Sequence, residues 1–334
     1  MDHGPIVVTM GDPGGVGVEI VHKLWLDRKN NPLPPFAVIG TQESFDHYGL
    51  SDAVKVINSP DQAKAIFDDF LPLIPVKSST KTTAGIADPD NAPAVIEAIT
   101  LAVEFCRTHQ AKGMVTMPIQ KSSLYKAGFD APGHTEYLAR LCDLSDDDAV
   151  MMLANDKLRV VPVTVHLPLK DVPSALTHQM IVGKVMTTAT DLRDRFNIDT
   201  PRIAVAGLNP HAGEDGMMGL EDGIKIIPAL NDIRDMGVTV TGPHPADTLF
   251  HTEARAHYDV AVCMYHDQAL IPVKTLDFHG SVNVTLGLPI IRTSPDHGTA
   301  LNIAGQNKAR TDSSYNAIKM IEGMTQPTGK PRHA

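Results

Sequence analysis

The sequence predicts an α/β protein with a largely parallel sheet, divided into two domains. Short apolar runs alternate along the chain with helical patterns, which is the arrangement of successive β-α-β units. The chain has 334 residues. Because single cores stop growing at roughly 250 to 300 residues, a chain of this length usually splits into two domains. A cleft between domains is then the expected place for a functional site.

The individual elements follow from local patterns, in chain order. "PIVVTM" predicts a first strand, "GVEIVHKLWLDR" the helix after it, and "PFAVIG" a second strand. A helix is predicted from Asn91, with Pro93 in its first turn and an apolar stripe of Val95, Ile99, Val103 and Cys106. "GMVTMP", "LRVVPVTV", "RIAVAGL" and "DVAVCMY" predict further strands, and "IKIIPALNDIRDMG" predicts a helix between the last two.

Composition excludes several classes of protein. The net charge of -10 argues against nucleic acid as the main partner, because phosphate backbones demand a basic surface. No window reaches the roughly 18 apolar residues of a membrane span, and the amino terminus lacks the pattern of a signal peptide. The three cysteines are too widely spaced for a disulfide framework or a zinc knuckle. We therefore expect a cytoplasmic protein that binds neither membrane nor nucleic acid.

The opening loop "GDPGGVGVEI" lies between a predicted strand and a predicted helix, where backbone amides can bind a phosphate. It has neither the lysine of a P-loop nor the G-x-G-x-x-G spacing of a Rossmann fingerprint. A tight turn and a ligand-binding loop are both compatible with this pattern.

Three predicted strands are each followed closely by a histidine, namely His166, His211 and His266. In open α/β sheets, ligands collect outside the carboxyl ends of the strands, so the three imidazoles could bind one divalent metal. Three protein ligands leave positions open for a substrate. The alternative is that each histidine is a hydrogen-bonded structural residue. Asp247 and Asp267 are candidates for carboxylates that orient these imidazoles or a substrate amine.

Cations and amides follow the last histidine. Lys274, Asn283 and Arg292 suggest a site for a phosphate or carboxylate. The apolar run "LGLPII" places Arg292 at the end of a buried strand, where an arginine needs an anionic partner. Earlier in the chain, His134 and Thr135 follow "DAPG" at the start of a predicted helix. Thr135 could cap that helix, or the exposed amides there could bind an anion.

These motifs resemble a known family. "TMGDPGGVG", "GHTEYLA", "VHLPL", "GLNPHAGE", "PADTLF", "MYHDQALIPVK" and "VNVTLGLPIIRTSPDHGTALNIAG" occur in the order found in the 4-hydroxythreonine-4-phosphate dehydrogenase family. The match runs from Thr9 to about Lys308. The resemblance implies a two-domain fold of the isocitrate and isopropylmalate dehydrogenase type. It also implies an active-site cleft between the domains and a homodimer with shared active sites.

The resemblance also assigns roles to residues. It implies that His166, His211 and His266 bind a divalent metal (Zn, Mg, Co or Mn), with His266 contributed across the dimer interface. It implies that the substrate contacts are His134, Thr135, Lys274, Asn283 and Arg292. All of these residues are present in the sequence.

Cofactor binding is implied in the same way, because this fold binds NAD, or NADP, without a Rossmann motif. "TSPDHGTALNIAG" looks like the cofactor loop, which makes Asp296, His297 and Gly298 candidates for cofactor contacts. Lys121 is a candidate general base, by analogy with the lysine of related decarboxylating dehydrogenases. We expect a cofactor-side domain at 1–130 and 295–334, and a metal, substrate and dimerisation domain at 131–294.

Two departures from the family pattern affect loops rather than ligands. Relatives commonly have "GDPAGIGPE" where this chain has "GDPGGVGVE", so Gly14 and Val18 replace alanine and proline. Many relatives also have Pro-x-Asn-Lys where this chain has "PIQK", which places Gln120 before Lys121. Both departures weaken detailed predictions about contacts from these loops.

The implied activity is NAD-dependent oxidative decarboxylation of 4-phosphohydroxy-L-threonine to 3-amino-2-oxopropyl phosphate, in pyridoxal phosphate biosynthesis. The main alternative within the superfamily is a catabolic dehydrogenase of 4-phospho-D-threonate or 4-phospho-D-erythronate. A cis-dihydrodiol dehydrogenase is disfavoured by the retained phosphate-binding residues. From other classes, a metal-binding protein without catalysis and a metal-dependent phosphatase remain open.

Overall fold

The structure is a computed structural model that describes residues 4–126, 128 and 133–325. The strands are β1 (Ile6–Thr9), β2 (Phe36–Gly40), β3 (Val54–Val56), β4 (Leu71–Pro75), β5 (Gly113–Thr116), β6 (Val150–Ala154), β7 (Arg159–Pro162), β8 (Ile203–Ala206), β9 (Val240–His244), β10 (Val260–Cys263), β11 (Val282–Leu286) and β12 (Arg292–Pro295). The helices are α1 (Gly17–Asp27), α2 (Gln42–His47), α3 (Ala63–Ile66), α4 (Ala92–Arg107), α5 (Lys121–Lys126), α6 (His134–Leu141), α7 (Val172–Ala175), α8 (His178–Phe196), α9 (Ile227–Asp235), α10 (Thr252–Arg255), α11 (His266–Leu276) and α12 (Asp312–Gly323).

The described residues form two compact units, one within 1–146 and 288–334 and the other within 147–287. In the first unit the strands lie in the order β3-β4-β2-β1-β5-β12, and every pair is parallel. Helix α4 packs against β1, β2 and β5, and α12 packs against β12. The apolar side of α4 is buried, as its stripe predicts, because one helical face covers the sheet.

The second unit has the strand order β11-β6-β7-β10-β8-β9. Strands β7, β10, β8 and β9 are parallel, whereas β6 pairs antiparallel with both β11 and β7. The core beneath this sheet includes Leu153, Val160, Ala261, Cys263 and Val273. The carboxyl ends of β7, β8 and β10 therefore lie at one edge, because these three strands run in the same direction.

The predicted α/β class is confirmed, and the strands predicted from the quoted runs are present. The predicted helix over "IKIIPALNDIRDMG" is also present, although its start is a π-helical turn at Asp222–Ile226 that leads into α9. The antiparallel strands β6 and β11 were not predicted. Both strands are almost wholly buried, and the sequence of β6, VMMLA, lacks the apolar and polar alternation of a half-buried strand.

The observed division of the chain differs from the predicted domain limits. Residues 133–146 and 288–294 group with the first unit, although the sequence-based division assigned them to the second domain. The reason is pairing and packing: β12 pairs with β5, and α6 contacts α4. Within the described residues, no helix combines the length and apolar character needed to cross a membrane.

Candidate active site

His266 and Asp267 stand where β10 gives way to α11. The strand ends at Cys263, and His266 is the first residue of the helix. The Nδ1 atom of His266 lies 2.7 Å from Oδ1 of Asp267. Because an ionised carboxylate only accepts hydrogen bonds, Nδ1 carries the proton and Nε2 keeps its lone pair. This orientation is the one in which a histidine can bind a metal through Nε2.

Helix α11 presents His266 and Lys274 along one groove. The groove has a volume of about 480 Å³ and is lined by His266, Asp267, Leu270, Ile271, Lys274, Thr275 and Phe278. The Lys274 ammonium lies 5.6 Å from the centre of the Phe278 ring, which is a favourable position for a cation. An oriented imidazole and a cation therefore share one helix face.

His166 lies close to His266 in the same unit. Strand β7 ends at Pro162, so His166 stands four residues beyond the strand, on an exposed turn. The imidazole centroids of His166 and His266 are 6.0 Å apart. Two of the three predicted metal ligands are therefore neighbours within one chain, whereas the family resemblance implies that His266 joins the other two across a dimer interface.

His211 belongs to an unusual left-handed segment, Pro210–Gly216. Five consecutive residues, 211–215, have φ values of 52, 51, 83, 41 and 53°. Only the third of them is glycine, and each of the others costs roughly 1 to 2 kcal/mol in this region. Such strain persists only where the surrounding structure holds it, and it is common at functional sites. The segment contacts the turn Ala246–Thr248, which carries the exposed Asp247.

The side chains present fit a divalent metal by their chemistry, although one chain does not complete a site. Imidazole nitrogen is a good ligand for Zn²⁺, Co²⁺ and Mn²⁺, and His266 is already oriented by a carboxylate. Among the residues that the structure describes, however, no three His, Cys, Asp or Glu side chains lie close enough to hold one ion. The convergence of all three imidazoles therefore stays a prediction.

Arg292 lies in the first unit and is only 2% exposed. Its Nε and one terminal nitrogen donate to Oγ1 of Thr116, at 3.1 and 2.6 Å. Burial lowers the pKa of its guanidinium to about 10, and the nearby Glu136 carboxylate opposes that shift. The sequence analysis placed Arg292 at the end of a buried strand, but it begins β12, because the apolar run before it forms a buried turn.

His134 is a half-buried polar residue close to the charges of Arg292 and Lys121. Its pKa is lowered well below the usual value, first by burial and then by the positive charges of Arg292 and Lys121. Its Nε2 atom is buried and has no hydrogen-bond partner among the described residues. A neutral imidazole with a buried, unused nitrogen is suited to meet a ligand.

The start of α6 differs from the predicted cap. Gly133 is the N-cap, and Thr135 is the second residue of the helix rather than its cap. The helix starts earlier than predicted because the extended backbone of Gly133 ends at His134. Lys121 and Glu136 border the same point: a Cβ on Gly133 would lie 3.2 Å from Nζ of Lys121 and 2.9 Å from Oε2 of Glu136.

Asn283 lies on β11 in the second unit, directly opposite Leu153. Its Oδ1 atom is buried and finds no hydrogen-bond partner within the part of the chain that the structure describes. A buried amide oxygen without a partner is costly, so a bound donor would stabilise it. The position suits the predicted role of Asn283 as a substrate contact, which remains a prediction.

The glycine-rich opening loop is packed against other backbone. A Cβ on Gly14 would lie only 2.0 Å from the carbonyl oxygen of Ile86, so this position needs glycine. The backbone amide of Val16 donates to the carbonyl of Thr299, and the Thr299 hydroxyl bonds to Gln120. The structure favours the tight-turn interpretation for the residues before α1.

The predicted cofactor segment lies next to this loop. The Asp296 amide donates to Oγ of Ser313, and His297 and Gly298 are exposed. A Cβ at Gly298 would meet no atom within 4 Å, so the space beside it is open to a ligand.

Three residues that the sequence analysis did not single out are prominent in the structure, namely Glu136, Asp222 and Gln268. Glu136 could have been noticed as the only carboxylate in "GHTEYLA". Asp222 and Gln268 carry no local signal, because each of them bonds to backbone groups that lie far away in sequence or belong to another element.

Comparison with known proteins supplies the family. A family model described as pyridoxal phosphate biosynthetic protein PdxA matches residues 35–321. The 4-hydroxythreonine-4-phosphate dehydrogenase of Zymomonas mobilis is 46% identical over 316 residues, which cover 95% of this chain and 94% of that protein. Its counterpart in Caulobacter vibrioides is 47% identical over 324 residues, covering 96% and 97%. The crystal structure of 4-hydroxythreonine-4-phosphate dehydrogenase from Klebsiella pneumoniae has a TM-score of 0.85 and 35% identity, with coverage of 96% of this chain and 98% of that chain.

The fold and these matches define an α/β enzyme of the dehydrogenase class, one that acts on a secondary alcohol. Within that class, the chain belongs to the pyridoxal phosphate biosynthetic protein PdxA family. The resemblance found in the sequence motifs is therefore confirmed.

Proposed function

We propose that this protein oxidises 4-phosphohydroxy-L-threonine with NAD and releases carbon dioxide and 3-amino-2-oxopropyl phosphate. The hydride leaves the carbon that bears the secondary hydroxyl and goes to the nicotinamide, while the hydroxyl proton goes to a base. The ketone formed lies β to the carboxylate, so the carbon–carbon bond to the carboxylate breaks readily. The electron pair left behind is then protonated at the carbon that bears the amine.

One observation in the structure supports this proposal most directly. Helix α11 presents the oriented His266 imidazole and the Lys274 ammonium along a single groove. This pairing suits a substrate that offers both a metal-binding hydroxyl and a phosphate. The names of the relatives, which cover nearly the whole chain, point to the same substrate.

The metal ligands in this proposal are His166, His211 and His266. When bound, the metal supplies Lewis acidity to the substrate hydroxyl and to the oxygen on which negative charge develops. The chain's own residues hold the substrate in register for the reaction. Arg292, which is buried and charged, would anchor an anionic group of the substrate, and the neutral His134 would accept or donate one hydrogen bond beside it.

Three further assignments belong to the same proposal. Lys274, Asn283 and Thr135 would complete the substrate contacts. Lys121 is the candidate base, because its amine lies in the cluster of His134 and Glu136. Asp296, His297 and Gly298 would contact the dinucleotide, and we propose NAD as the principal cofactor.

We also propose that the working form is a homodimer in which His266 of the partner subunit completes the metal site. Large apolar side chains of the second unit are exposed, including Leu220 (63%), Ile271 (64%) and Phe278 (65%). Contiguous exposed apolar surface is typical of an interface, and Ile271 and Phe278 line the same groove as His266. A shared site would also fit the lack of three converging ligands within one described chain.

The experiment is a measurement of NADH formation by purified, metal-loaded protein. The substrates are 4-phosphohydroxy-L-threonine, 4-phospho-D-threonate and 4-phospho-D-erythronate, tested side by side. We expect turnover of the amino acid with release of carbon dioxide. Preference for a sugar acid would reassign the substrate, and phosphate release without NADH would indicate a phosphatase.

The variants His211→Ala and His266→Ala are measured alone and after mixing. Each should be inactive alone. In mixed dimers with shared sites, one of the two sites keeps all three histidines, so roughly a quarter of wild-type activity should return. Sites built within single chains would regain nothing on mixing, and that result would contradict the shared-site proposal.

A further inference from the structure

Asp222 is a buried carboxylate at the base of the segment that carries His211. It is 1% exposed and opens the π-helical turn before α9. Its Oδ1 accepts the backbone N–H of Leu208 at 2.8 Å, and its Oδ2 accepts the backbone N–H of Asn209 at 3.1 Å. Oδ2 also accepts the side-chain amide of Asn209 at 2.9 Å. Three donors from Leu208 and Asn209, shortly after β8, therefore converge on one carboxylate.

The left-handed segment packs directly onto this clamp. A Cβ on Gly207 would lie 2.8 Å from Oδ1 of Asp222 and 2.8 Å from the Cα of Ala212. Glycine at this position thus lets the carboxylate and the strained residues approach the same stretch of backbone. Residues 207–209 connect the end of β8 to Pro210 and His211. The position of their backbone therefore determines where the His211 side chain lies.

Residue 207 is also held from the opposite side. Its N–H donates to the carbonyl of His244, and its carbonyl accepts the side-chain amide of Gln268 at 2.7 Å. The other end of the Gln268 amide accepts the backbone N–H of Met264 at 2.7 Å, two residues before His266. The backbone N–H groups of residues 207–209 are therefore all hydrogen-bonded. Because this stretch is held in place, the left-handed residues that follow it cannot relax to an unstrained conformation.

We propose that Asp222 is the positioning residue of His211, an inference that rests on the proposed function, in which His211 binds the metal. The carboxylate accepts hydrogen bonds from Leu208 and Asn209 and so fixes the left-handed turn that presents the imidazole. An amide would not substitute for it, because an Asn side chain offers one acceptor and places an NH₂ against a backbone donor. The charge of Asp222 is thus used for geometry and not for contact with a substrate.

The test compares Asp222→Asn with the matched variant Glu221→Gln in the full-length protein. Glu221 is the neighbouring carboxylate and accepts the side chain of Asn209 and the backbone N–H groups of Leu220 and of Glu221 itself, so its replacement removes the same charge without touching the backbone amides of Leu208 and Asn209. Metal-free protein is titrated with Co²⁺, and its visible absorption reports both affinity and coordination geometry. Sedimentation and circular dichroism check the oligomeric state and the fold.

We expect Asp222→Asn to weaken Co²⁺ binding by roughly 10- to 100-fold and to change the Co²⁺ spectrum, as loss of a residue that orients a metal ligand does. Glu221→Gln should bind Co²⁺ within about twofold of wild type. Wild-type affinity and spectrum in folded Asp222→Asn would overturn the proposal.

If Asp222→Asn does not fold, Asp222→Glu decides the question. It keeps the charge but moves the oxygens by one methylene, and we expect weaker Co²⁺ binding than in wild type. Unchanged Co²⁺ binding in that variant would overturn the proposal. Wild-type protein that binds Co²⁺ but forms no NADH contradicts the proposed reaction alone, whereas wild-type protein that binds no Co²⁺ contradicts both.

Discussion

The two units prepare their polar side chains in opposite ways. In the first unit, Arg292 is buried and His134 is half-buried with its Nε2 atom enclosed, and loss of solvent lowers the pKa of both. In the second unit, His166 and His211 are exposed to solvent. The positions of these two imidazoles are determined by the backbone. The third, His266, is oriented by the neighbouring carboxylate of Asp267.

The difference shows where each region gains from a ligand. A buried guanidinium lacks water, so an anion that reaches it forms a strong charge-assisted contact. Exposed imidazoles are solvated and gain little from desolvation, so their affinity for a metal depends on how accurately they are held. Substitution of Arg292 or His134 should therefore alter substrate energetics, and substitution of the groups that hold the three histidines should alter metal affinity.

The largest expected effect is for Arg292→Met. Removal of one partner of a buried charged contact costs roughly 3 to 4 kcal/mol, which corresponds to a loss of about 10²- to 10³-fold in kcat/KM. Methionine fills the space with an apolar chain, so the fold should be kept. Steady-state kinetics with saturating metal measure the loss, and Co²⁺ affinity should stay unchanged. A variant with nearly normal kcat/KM would remove Arg292 from the substrate site.

An intermediate effect is expected for Asp267→Asn, which weakens the hydrogen bond that orients His266. Metal affinity should fall about tenfold, because such orienting partners typically contribute 10- to 100-fold and this one is exposed. Asp235→Asn is the matched control, because Asp235 is an exposed carboxylate of the same unit at the end of α9. Equal losses in the two variants would show that net charge, and not orientation, matters.

The smallest effect is a pH dependence of stability from His134. The pKa of His134 is lowered in the folded protein, so the unfolded chain binds a proton at His134 more tightly than the folded protein does. Below about pH 6.5 this difference favours unfolding. Stability is then complete above pH 6.5 and falls as pH drops below it, by at most about 1.4 kcal/mol per pH unit. In His134→Gln this part of the slope should disappear, as urea unfolding at pH 7.5 and 5.5 can measure. Parallel slopes in both proteins would contradict the neutral imidazole.

Much of the fold was predictable because it depends on local pattern. The apolar runs that became β1, β2, β8 and β10 are bounded by loops, and the stripe of α4 has a clear helical period. The motifs around the histidines were equally legible, because long residue strings identify a family without any geometry. The presence of the site residues could therefore be read directly, while their spatial arrangement could not.

What could not be predicted depends on contacts between distant segments. Four of the five left-handed residues 211–215 are not glycine. Because glycine is the residue that usually indicates this conformation, the sequence does not predict it here. The clamp by Asp222 joins groups 13 and 14 positions apart, and the bond from Gln268 to Gly207 spans 61. The antiparallel pairing of β6 with β7 likewise could not be predicted, because the composition of one strand does not specify which strand it pairs with or in which direction.

Helix α11 fixes the distance between a candidate metal-binding residue, His266, and a candidate phosphate-binding residue, Lys274. His266 and Lys274 are eight positions apart on one continuous helix, so the axial distance between them is about 12 Å, set by the 1.5 Å rise per residue. Insertion or deletion of a single residue between them would alter that distance only slightly but would swing Lys274 about 100° around the axis. The stretch from 267 to 273 is therefore constrained in length as well as at Asp267 and Gln268, whose side chains bond to His266 and Gly207.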